Sequence, residues 1–114
     1  MKSPVDYEDI STPSSGITGV TATKKDGIVM LAFSGATANG STHQIGTLSS
    51  GLYPKIAFSS FMRLKETTSG KYQVVLVSFD TSGNISFSEF IPNDATSPFW
   101  NSGSVYGTVT YVSA

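Results

Sequence analysis

Residues 26–33 read DGIVMLAF, and the way this stretch must lie sets the architecture of the rest. Asp26-Gly27 ahead of an apolar run is a hairpin signal, because a type I′ turn needs two residues that tolerate positive φ. Beyond it, Ile28, Met30 and Ala32 alternate with Val29, Leu31 and Phe33. That run is apolar on both faces, as expected of a strand lying between two layers.

From Ile17 onward the apolar spacing remains two rather than 3.6. Ile56, Phe58, Met62 and Leu64 share one side of an extended run, with Ala57, Ser59, Phe61, Arg63 and Lys65 on the other. Tyr72–Phe79 (YQVVLVSF) is β-branched and aromatic, which suits a central strand. Ile85 and Phe87 alternate with serines, and Val105, Val109 and Tyr111 mark a closing strand. Turns at Thr68-Ser69-Gly70 and Asp80–Asn84 divide these runs. No window has the period of an amphipathic helix. The expected fold is therefore all-β: two packed antiparallel sheets, a β-sandwich of about seven or eight strands.

With 114 residues the chain forms one domain, preceded by a tail. Residues 1–16 (MKSPVDYEDISTPSSG) combine Pro, Ser and acidic residues without an apolar face and read as a linker or neck. Residues 17–114 form the β domain. A chain that opens on a linker reads as part of a longer protein. Charged residues are only 13%, about half the usual share, and seven basic against eight acidic residues leave a net charge of -1. Nothing therefore draws the whole molecule to nucleic acid or to anionic lipid. No run approaches the ~20 apolar residues of a membrane-spanning helix. The absence of cysteine excludes disulfides, thiolate metal sites and cysteine nucleophiles.

Motifs for catalysis or cofactors fail on their context. Gly35–Thr42 (GATANGST) approaches a phosphate-binding loop, but Ser41 stands where lysine is required and no helix follows. Asp80, Ser82 and Asn84 begin like a calcium loop, yet Ile91 occupies the position of the bidentate glutamate. His43 is the only histidine, so no His-rich metal site can form within one chain, and no nucleophile-elbow pattern appears. No metal, no cofactor and no enzymatic activity are expected.

Ile91–Tyr106 (IPNDATSPFWNSGSVY) is the richest stretch, with Phe99, Trp100 and Tyr106 beside Asn93, Asp94 and Asn101. Aromatic faces next to amides and a carboxylate suit a saccharide, which offers C–H faces for stacking and hydroxyls for hydrogen bonds. The candidate saccharide-binding set is Trp100, Tyr106, Asn93, Asp94, Asn101 and His43. The commoner fate of such aromatics is to plug one end of the domain or a subunit interface.

Ile45–Lys55 (IGTLSSGLYPK) resembles a signature of phage tail-fibre and baseplate proteins, G-T-L-P-x-G-Y-R-P between two strands. Gly46, Thr47, Leu48, Gly51 and Pro54 match in register, whereas Ser49 replaces a proline and Leu52-Tyr53 replace Tyr-Arg. Gly83-Asn84-Ile85 and the closing Gly107–Tyr111 also look similar, so the resemblance spans residues 17–114. The family is the C-terminal receptor-binding head domain of tail-fibre or baseplate proteins of phages of Gram-positive bacteria. The resemblance implies a jelly-roll sandwich, a homotrimer, and host adhesion through a cell-wall polysaccharide. It also implies a place at the tail tip of the virion, joined to other tail or baseplate proteins on the N-terminal side. The motif is a structural turn in that family and transfers no ligand residues. The other readings are a structural trimerising or capping module of a fibre and a carbohydrate-binding module attached to a hydrolase.

Overall fold

The computed structural model describes residues 10–89 and 102–114. Among these there are seven strands and no helix: β1 (Val20–Lys25), β2 (Ile28–Ala38), β3 (Gln44–Thr47), β4 (Phe58–Glu66), β5 (Tyr72–Phe79), β6 (Asn84–Glu89) and β7 (Gly103–Val112). The strands form one sheet in the order β1-β2-β7-β4-β5-β6-β3, and every pairing is antiparallel. Asp26 and Gly27 have φ of 52° and 78°, the double positive φ that places Lys25 opposite Ile28.

The connection from β2 to β3 shows that the sheet curls. In the flat order these strands lie five places apart, about 24 Å at the usual strand spacing. Yet residues 39–43 join them in a tight turn, with Asn39 N donating to the Gln44 carbonyl at 3.0 Å. The far edge must therefore swing back to the end of β2. On the open side, Ser49 N donates to the Ser15 carbonyl at 2.9 Å, linking the segment before β1 to the segment after β3. The loop from β3 to β4 closes one end of the curl. It buries Leu48 and Leu52, and Lys55 N donates to the Val112 carbonyl at 2.9 Å.

The core fills the inside of this curl. Val29, Leu31 and Phe33 of β2 face Val75, Val77 and Phe79 of β5, Ile85 and Phe87 of β6, and Val105 and Val109 of β7. Phe79 stacks on Phe58 with centroids 4.5 Å apart and meets Phe33 edge-on at 6.1 Å. Each fully buried side chain of this size contributes roughly 1.5–3 kcal/mol of transfer free energy.

The all-β, antiparallel character expected from the sequence is present, and its seven strands lie in a single curled sheet where two packed sheets are expected. One hydrogen-bonded ladder runs through all seven strands, and the second layer is the opposite wall of the same curl. Inward and outward residues alternate identically in both architectures, so periodicity does not distinguish them. Of the segment read as a linker, residues 1–9 lie outside the described residues. Ser11 exchanges backbone hydrogen bonds with Lys24. Ser15 is buried; its hydroxyl donates to the Val20 carbonyl at 2.7 Å and accepts the Ile17 N–H at 3.0 Å.

Candidate functional site

The alternation that sends Met62, Leu64, Val75 and Val105 inward turns Phe61, Arg63, Lys65, Tyr72, Val74 and Tyr106 outward. Register then assembles them. Arg63 lies opposite Val74 on one side and Tyr106 on the other, and Lys65 lies opposite Tyr72. Residues far apart in the chain thus share one patch on the face of β7, β4 and β5.

At its centre the Arg63 guanidinium carbon stands 4.7 Å from the Tyr72 ring centroid and 5.4 Å from that of Tyr106. The two rings meet edge-on, with centroids 6.4 Å apart and planes at 61°. The Lys65 ammonium lies 5.7 Å from the Tyr72 ring. These are cation–π distances, and they hold two cations against two aromatic rings on an exposed surface. Phe61 and Val74 are also exposed, at 61% and 49%. A shallow depression of about 460 Å³ runs past Phe61, Arg63, Val74 and Tyr106 to Gly107.

The carboxylate nearest in the ladder lies on the opposite face of its strand. Glu66 follows Lys65 but faces inward, where its Oε1 accepts the Ser69 N–H at 3.1 Å and steadies the β4–β5 turn. The patch therefore offers aromatic faces, phenolic hydroxyls and N–H donors of two cations. It can stack on an apolar surface and donate hydrogen bonds. Among the described residues it brings no nucleophile together with a base.

Of the six candidate saccharide-binding residues, Asn93, Asp94, Trp100 and Asn101 lie outside the described residues. Tyr106 is at the centre of the patch. His43 lies elsewhere: it sits in the β2–β3 turn at φ 58°, with its ring edge-on to Phe87 at 5.8 Å. Phe87 belongs to the inward face, so the structure does not bring His43 and Tyr106 together. Sequence reasoning passed over Arg63 and Tyr72 as site residues. Their only signal was an outward position on neighbouring strands, which requires the register to interpret.

The other motifs resolve as turns. Asn39 Oδ1 accepts the N–H groups of Ser41 and Thr42, which caps the loop that resembled a phosphate site. Asp80 Oδ1 accepts the N–H groups of Ser82 and Asn84, both at 2.9 Å. The Asn84 backbone N–H, then its side-chain amide, hold the Asp80 carboxyl below the ordinary range; desolvation opposes them, and the Ser82 N–H adds a smaller lowering. Among the described residues, no group of three or more His, Asp or Glu could hold a metal ion. A hollow of about 500 Å³ along residues 12–22 is lined without aromatic or charged side chains. In comparisons with known proteins, no family model, no curated protein and no solved structure matches this chain.

Proposed function

We propose that this chain is a non-enzymatic receptor-binding head that recognises a cell-surface saccharide through the outward face of β4, β5 and β7. The observation that carries the reading is the cluster of Tyr72, Tyr106 and Arg63 on an exposed sheet surface. Open aromatic faces beside hydrogen-bond donors match the amphipathic surface of a sugar ring. A site this shallow binds weakly, because each sugar hydroxyl exchanges one hydrogen bond with water for one with protein. Many copies on one particle supply the avidity. The resemblance of Gly46–Pro54 to phage tail-fibre heads supplies the setting: a phage tail tip, a host cell-wall polysaccharide, and further tail or baseplate proteins on the N-terminal side. A curl with two facing walls is compatible with the jelly-roll packing that this resemblance implies.

A glycan array probed with the wild-type chain and with Tyr106→Ala tests the reading. Retention of at least one glycan, with apparent affinity about three- to tenfold lower in the variant, is the expected result. No retained glycan would discard the adhesion function.

A second reading, a structural module that trimerises or caps a fibre, is favoured by a different surface. Ile28 and Val112 are paired neighbours that are 44% and 51% exposed, and Ile56 beside Val112 is 75% exposed. Self-association would cover this patch, and it is compatible with adhesion through the other face.

A further inference from the structure

We infer that the Arg63 face selects saccharides bearing an anionic substituent, a carboxylate or a phosphate ester, over neutral ones. The inference deepens the adhesion reading and rests on it.

Three observations carry it. First, Arg63 and Lys65 are two positions apart on one strand face, so their charges lie roughly 7 Å apart at the usual rise per residue. Second, among the described residues no carboxylate pairs with either cation and no acceptor takes their N–H groups; their contacts are with the Tyr72 and Tyr106 rings. Third, the residues paired with Arg63 and Lys65 across the ladder are Val74, Ser104 and the two tyrosines, none of them acidic. In a chain of net charge -1, this is a local positive spot and not part of a general basic surface.

The rings matter as much as the charge. A guanidinium is weakly hydrated and rests favourably on aromatic faces, which limits the rotamers it samples before a ligand arrives. Its planar donors match the two oxygens of a carboxylate or phosphate, and such charge-assisted bonds are about twice as strong as neutral ones. Less side-chain freedom then remains to be lost on binding. Lys65 adds a second, more mobile charge along the same face. A neutral sugar can stack on the rings but leaves both cations without a counter-charge.

The test is calorimetric titration of the full chain with dextran, carboxymethyl-dextran and phosphate-esterified dextran of one length, and with inorganic phosphate as competitor. Both charged polymers should bind at least tenfold more tightly than dextran, and raising the salt should erode the difference. Arg63→Gln should remove about tenfold or more of that advantage, and Arg63→Lys should restore only part, because it returns the charge without the fork. Competition by millimolar phosphate would assign recognition to the anion itself. Failure to compete, with charged polymer still bound, would assign it to the anion in its saccharide setting; either result supports selection of anions. Equal binding of the three polymers, or charged-polymer binding unaffected by Arg63→Gln, would overturn it. Neutral glycans retained on the array and lost with Tyr106→Ala would leave adhesion standing while the anionic preference fell. Melting temperature checks that both Arg63 variants, at an exposed position, are folded.

Discussion

Tyr111 shows how one side chain can fasten a loop to a sheet. Its ring is buried against Phe58 and its hydroxyl donates to the Leu52 carbonyl at 2.6 Å, tying the β3–β4 loop to β7. Burial pushes its pKa up to about 12 from an ordinary 10. The unfolded chain therefore loses this proton before the folded one does. The associated stability is complete below pH 10 and is lost as the pH rises through 12. Urea unfolding at pH 8 and pH 11 should show a smaller alkaline loss in Tyr111→Phe than in the wild type. At pH 8 the same variant should be less stable by about 1–2 kcal/mol, because the Leu52 carbonyl is left buried without its donor. Residue chemistry of this kind was partly legible beforehand. Asp26-Gly27 declared its turn through local backbone preference alone. Arg63 declared nothing, since its significance comes from Tyr72 and Tyr106, which only strand pairing brings beside it.

At the scale of elements, the strands were legible and their neighbours were not. Inward-facing Val29, Leu31 and Phe33 announce β2 by period, but no periodic signal places β7 between β2 and β4. The closures depend on glycines at specific points. Gly19 has φ 85°, its carbonyl accepts the Ser34 N–H at 2.8 Å, and a Cβ there would stand 2.8 Å from the Ala36 nitrogen. That contact is with backbone beside the β2 bulge, where the register shifts between Ser34 and Ala36 and no side chain can swing aside. Gly27 has a similar φ of 78° but open space around its Cβ position. Gly19→Ala should therefore cost about 2 kcal/mol or more, and Gly27→Ala only the conformational 1–2 kcal/mol, as read by chemical denaturation. Equal losses would show that the close approach at Ala36 relaxes freely.

For the whole molecule, self-association would explain both the low charge and the two-sided β2. Ile28, Met30, Val112 and Ile56 are left exposed by the curl, a row of large apolar side chains on the face away from the core. If sister copies cover that row, as in the homotrimer that the resemblance implies, light scattering should give a mass about three times 12.0 kDa. Ile56→Glu should shift the mass toward one chain while leaving the far-ultraviolet spectrum unchanged. A wild-type mass of 12.0 kDa at high concentration would remove the trimer.

The place of β7 also bears on how the protein comes into being. The last of the seven described strands to be synthesised inserts between β2 and β4, with Ile28 opposite Val112 and Arg63 opposite Tyr106. Until it emerges, β2 and β4 have no neighbour on that side, and two hydrophobic walls wait without a seam to join them. β7 must be made before the domain can condense, and such long sequence separation favours slow, all-or-none acquisition of structure. Nascent chains stalled short of Gly103 should remain protease-sensitive, because without β7 neither β2 nor β4 has its partner on that side.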